Sequence, residues 1–138
     1  MEQVITATAT PRPLRLQLTG AAGSVPDARR FVRDTLAGCP RADDLAQAVT
    51  ELAANAIACS AAGEGGTFTV TIRRAPRWAR VEVTDPGPAL LPAATSNGWG
   101  LGIVAMVTDR SGATYGPGSQ RTAWAEATWH AGPAQGQS

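Results

Sequence analysis

Glu51 and Asn55 stand four positions apart in the segment TELAANAI. At about 100° per residue, Leu45, Val49, Leu52 and Ala56 form one apolar stripe of a helix. The carboxylate and the amide sit one turn apart at its edge. An amide oxygen is a hard ligand suited to Mg²⁺, and a carboxylate can accept a proton or position a hydroxyl. The same pair can equally hydrogen-bond to a neighbouring loop. A second candidate is Asp85-Pro86-Gly87-Pro88, placed directly after an alternating apolar stretch. A carboxylate at a strand end can accept a hydrogen bond from an exocyclic amine, and the glycine lets a flat ring approach the backbone. The plainer alternative is an Asp-Pro-Gly turn. The third is Gly98-Trp99-Gly100-Leu101-Gly102, leading into Ile103 and Val104. Amides at a helix N-terminus beside glycines make an anion site suited to phosphate; a flexible loop with a glycine-tolerant helix start would carry the same pattern.

What is absent narrows the chemistry. All 12 basic residues are arginine, and His130 is the single histidine. Without lysine there is neither a GxxxxGK[ST] loop nor a Schiff-base lysine. One isolated histidine argues against a Ser-His-Asp triad and against a His-rich metal site. Cys39 and Cys59 make no CxxC pair and read as two reduced thiols of a cytoplasmic protein. A net charge of +1 indicates no bulk attraction to nucleic acid or acidic membrane. Neither a signal peptide nor a membrane-spanning run is expected.

The elements that must position these residues follow from changes of period. The 138 residues suit one domain, expected over 14–129 between flexible tails at 1–13 and 130–138. Leu14, Leu16 and Leu18 alternate as a half-buried strand. A helix begins with Ser24 as N-cap and Asp27 in the capping-box position, and ends at Gly38. A second helix starts near Asp43 and Asp44 and runs to about Ser60, where Gly63, Gly65 and Gly66 break it. Two strands follow, around Phe68–Ile72 and Val81–Thr84, then a loop from Asp85 to Asn97. A third helix is expected from about Gly100 to Arg110-Ser111-Gly112, with closing strands at Ala113–Tyr115 and Arg121–Trp129. The order implies an α+β, two-layer sandwich. Its sheet of about five strands is mixed and mostly antiparallel, with about three helices on one face. In the last strand Thr122, Trp124 and Glu126 share one face and Ala123, Ala125 and Ala127 the other; which face meets the helices stays open. Trp124 on an exposed face would be a candidate interface. Arg29, Arg30 and Arg33 could meet an acidic partner or be solvated.

In combination and order these motifs resemble the histidine-kinase-like ATPase superfamily, the GHKL or Bergerat fold. Glu51-Leu-Ala-Ala-Asn55-Ala is similar to its N box, Asp85-Pro-Gly87 to its first glycine box and Gly98-Trp-Gly100-Leu-Gly102 to its second. The segments ARRFVRDTL, TELAANAI, GWGLGIV and RTAWAEA look most like stand-alone anti-sigma-factor serine/threonine kinases and their actinobacterial relatives. The resemblance implies ATP and Mg²⁺ as cofactors. Asn55 would hold the Mg²⁺, Glu51 would be the general base toward a serine hydroxyl, and Asp85 would take the adenine amino group. Gly87 would lie under the ring, Thr122 would help through a water, and Gly98, Gly100, Leu101 and Gly102 would lie against the phosphates. It further implies a sigma factor and an anti-sigma-factor antagonist protein as partners, and a homodimer. The chain departs from the family where Pro88 and Ala89 follow Gly87 in place of a DxGxG box. It departs again in a short uncharged lid, and in Cys59 where many relatives carry histidine. The competing function is a nucleotide-responsive binding module with little or no kinase activity.

Overall fold

The computed structural model describes residues 12–88 and 99–130. The alternating segments form strands β1 (Leu14–Thr19), β2 (Thr67–Ala75), β3 (Trp78–Asp85), β4 (Arg110–Tyr115) and β5 (Arg121–Thr128). The segments with helical period form α1 (Ser24–Thr35), α2 (Ala42–Cys59) and α3 (Trp99–Val107). The sheet order is β1-β2-β3-β5-β4, and every described ladder is antiparallel, the all-antiparallel form of the mixed, mostly antiparallel sheet expected. The reason is the hairpin β4–β5. It inserts β5 between β3 and β4, so those two strands, which run the same way, never become neighbours. Of the loop expected from Asp85 to Asn97, residues 89–97, including Ala89, lie outside the described residues, as do the tail residues 1–11 and 131–138.

One face of the sheet is covered. Phe68, Val70 and Ile72 of β2, Val81 and Val83 of β3, and Ala123, Ala125 and Ala127 of β5 are buried against Ala28 and Val32 of α1 and Leu45, Val49, Leu52 and Ala56 of α2. The alanine face of β5 is therefore the one that meets the helices. Thr122, Trp124 and Glu126 point to the open face. There Arg80 stacks 4.1 Å from the Trp124 ring and donates to Glu126 at 3.2 Å, and Arg73 donates to Glu82 at 3.0 Å. Paired charges and a half-covered indole let this face meet water.

Element ends differ from expectation for local reasons. Ser24 is the first residue of α1, not a side-chain cap: Gly23 holds the cap position with helical dihedrals. The amides of Ser24 and Val25 bond to Ala21 and Ala22 carbonyls, and Pro26 has no N–H, so the first turn needs no capping side chain. The Ser24 hydroxyl instead meets that of Thr19 at 3.1 Å. Helix α2 stops at Cys59, before the glycines, because Ser60 turns extended and its hydroxyl accepts from the Ala62 amide at 3.0 Å. Helix α3 ends at Val107, and Arg110, Ser111 and Gly112 belong to β4, not to a helix end. Gly112 faces Trp124, whose ring lies 2.9 Å from where a Cβ would stand. The glycine read as a helix stop is a strand position left empty for an indole.

Arg41 fastens the far end of the molecule. Its guanidinium donates to Asp44 at 2.7 Å and to the Thr128 and Val107 carbonyls at 2.9 Å each, and it reaches Asp109 at 3.3 Å. The Thr128 amide donates to Asp109 at 2.7 Å. That amide, helped by the Thr128 hydroxyl and Arg41 against some burial, holds the Asp109 carboxyl below its ordinary value. No helix among the described residues is long and apolar enough to cross a membrane.

Candidate functional site

The antiparallel register places Asp85 opposite Arg121, and Arg121 opposite Tyr115, in one row at the end of the sheet. Alternation from the buried Val83 and Ala123 directs this row to the helix side. Asp85 is 2% exposed. One carboxylate oxygen accepts the Gly87 amide at 2.9 Å. The other accepts Arg121 Nη2 at 3.0 Å and Nε at 3.3 Å. A buried carboxylate needs such partners, since an uncompensated charge is costly away from water.

The loop after Asp85 is anchored to the end of α2. The Ala61 amide donates to the Gly87 carbonyl at 2.9 Å, and Ser60 bridges to Pro88. Gly87 has φ of +99°, and a Cβ there would lie 2.2 Å from the Ser119 carbonyl oxygen. Close approach of Ser119 thus already requires the glycine, where the sequence suggested that room for a ring required it.

Two adjoining cavities open along α2. One, of about 350 Å³, is lined by Cys59, Asp85, Gly87, Pro88, Tyr115, Ser119 and Arg121. The other, of about 290 Å³, has Leu52, Asn55, Val104 and Ala123 in its wall. Tyr115 and Arg121 belong to both. Asn55 and Cys59 are one turn apart, and the thiol donates weakly to Asn55 Oδ1 at 3.5 Å. Glu51 continues the same line of α2 one turn earlier. It is half-buried, outside both cavity linings, and has no side-chain partner among the described residues. Together the cavities form a cleft with an acceptor at one end, an amide oxygen at the other and a guanidinium between, and Glu51 stands one helical turn beyond the amide.

The glycine-rich motif is partly in view. Gly100 and Leu101 lie in the first turn of α3, and Gly98 lies outside the described residues. A Cβ on Gly102 would meet nothing within 4 Å, so packing among the described residues gives no reason for that glycine. Thr122 is not brought to this cleft. Its hydroxyl meets that of Thr84 at 2.9 Å on the open face, with Thr69, Thr71 and Arg73 nearby. The β5 residue beside Asp85 is Arg121, which the sequence reading passed over. The signal was present: counting alternate positions back from Ala127, Ala125 and Ala123 reaches 121.

The residues suit a magnesium nucleotide in kind. No group of three His, Cys, Asp or Glu side chains able to hold a metal exists among the described residues. A Mg²⁺ here would take Asn55 as its protein ligand and complete its shell with phosphate oxygens and water, as this ion commonly does.

Residues 18–123 match the family described as histidine kinase-like ATPase domain. No curated protein matches the chain. The match spans most of the sequence, so the chain belongs to that family. The five-stranded antiparallel sheet and three helices of the described residues are consistent with the Bergerat fold. Membership implies ATP binding, and domains of this family usually bind ATP with Mg²⁺.

Proposed function

We propose that this histidine kinase-like ATPase domain acts as an anti-sigma-factor-type serine/threonine protein kinase. On this reading it phosphorylates an antagonist protein and sequesters a sigma factor when the antagonist is modified. The observation that carries the reading is Glu51: a half-buried carboxylate without a side-chain partner among the described residues, one helical turn from Asn55 and its cavity. Phosphoryl transfer asks mainly for positioning and charge neutralisation. Bound Mg-ATP would supply the transferred group. Asn55 would hold the metal through Oδ1, Asp85 would fix the base, and Glu51 would take the proton from the acceptor serine hydroxyl. The subtype and its partners rest on the segments TELAANAI, GWGLGIV and RTAWAEA.

A nucleotide-responsive binding module is the second reading, and one feature favours it. Both oxygens of Asp85 already have protein partners, so a base must share the carboxylate with Arg121 or displace it. The experiment is a thermal-shift titration with Mg-ATP, paired with a phosphotransfer assay on a candidate antagonist. Nucleotide at 100 times its dissociation constant adds about 2.7 kcal/mol of stability. A shift with transfer that Glu51→Gln abolishes supports the kinase. A shift without transfer supports the module, and the absence of any shift at millimolar nucleotide removes both.

A further inference from the structure

We propose that Arg121 reads the edge of the bound base, donating to a ring nitrogen while Asp85 accepts from the adjacent exocyclic amine. The inference rests on the reading that this cleft binds an adenine nucleotide. Arg121 stands directly opposite Asp85 in the β3–β5 register. Its side chain is 22% exposed and that of Asp85 1%, so the guanidinium forms the accessible part of the pair. A guanidinium has five N–H donors in a planar fork. Nε and Nη2 each direct one at Asp85 Oδ2. Nη1 and the second Nη2 proton have no side-chain or backbone acceptor among the described residues, and Arg121 lines both cavities.

The ion pair holds the fork in place before any ligand arrives, so little rotamer freedom remains to be lost on binding. An acceptor beside a donor matches a base edge that presents a donor beside an acceptor. Adenine does so with its 6-amino group and N1. Hypoxanthine presents the reverse, a carbonyl oxygen beside an N1–H, and would set an acceptor against Asp85 and a donor against Arg121. A guanidinium has N–H donors and no acceptor, so this group cannot turn acceptor to suit the wrong base. Arg121 thus sharpens the choice of base where Thr122, on the other face of the sheet, cannot.

The test is calorimetric titration of Mg-ADP and Mg-1-deaza-ADP, which differ only in the ring nitrogen Arg121 would address. Wild type should bind the deaza compound roughly tenfold or more weakly, the scale for one hydrogen bond from a charged donor. In Arg121→Met the ratio of the two affinities should fall toward one. Arg121→Lys keeps a charge beside Asp85 without the fork and should give a reduced ratio; it decides the matter if the methionine variant does not fold. A ratio unchanged from wild type in the folded variant overturns the proposal while leaving nucleotide binding intact. Failure of wild type to bind Mg-ADP at all removes the parent reading, and this proposal with it.

Discussion

Gly87→Ala separates two reasons for a glycine in this loop. If the glycine serves only a ligand, alanine weakens nucleotide binding and leaves the free protein alone. The structure implies otherwise. At φ of +99°, an alanine bears conformational strain of about 1–2 kcal/mol. Its Cβ would also stand 2.2 Å from the Ser119 carbonyl oxygen. Both are backbone positions, one tied to Asp85 and Ala61 and the other in the β4–β5 hairpin, so neither yields without moving a hydrogen-bonded segment. Relief of such overpacking costs about 1–3 kcal/mol more. The sum, about 2–5 kcal/mol, corresponds to a fall in Tm of roughly 6–20 °C for a domain of this size. The assay is calorimetry or circular dichroism melting of the nucleotide-free protein. Gly65→Ala is the control: its φ is +90° but a Cβ there would meet nothing within 4 Å, so strain acts alone. If Gly87→Ala melts with Gly65→Ala, the Ser119 contact does not dictate the glycine and the reasoning fails.

Other outcomes follow from the same geometry. Glu51→Gln should lower phosphotransfer by about 10²–10⁴-fold, the usual worth of a general base, with nucleotide affinity by calorimetry unchanged. Asn55→Ala should weaken the Mg²⁺ dependence of nucleotide binding, lowering apparent metal affinity by about 10–100-fold or more, as read from titrations at varied free Mg²⁺. Asp109 has a folded pKa below the ordinary aspartate value, chiefly through the Thr128 amide. Its contribution to stability is therefore present above that value and lost as pH falls through the lower folded one. Denaturant melts of wild type and Asp109→Asn should differ at pH 7 and converge at the acid end.

Much of the frame was legible because burial imposes a period. Leu45, Val49, Leu52 and Ala56 announce the buried stripe of α2, and with it the edge that carries Glu51, Asn55 and Cys59. Phe68, Val70, Ile72, Val81 and Val83 announce two strands with one covered face. What the period leaves open is which of two faces a strand of mixed character buries. In β5, alanines alternate with Thr122, Trp124 and Glu126, and neither set is decisive, since small apolar and large amphipathic side chains can each line a core. The ends of elements were also hidden: Ser24 meets the Thr19 hydroxyl in place of capping its helix, Ser60 accepts from the Ala62 amide, and Gly112 makes room for Trp124 on the paired strand.

The sequence by itself determined the order and type of the elements and the residues able to do chemistry on α2 and after β3. Tertiary structure decided which of them meet. A shift of one residue in register exchanges the faces of a strand, and only the β3–β5 pairing turns Arg121 toward Asp85 and Thr122 away from it. In a chain without lysine, the cation beside this cleft comes from that pairing. A guanidinium on one strand and a carboxylate on another become partners because the sheet aligns them, and no local pattern encodes that alignment.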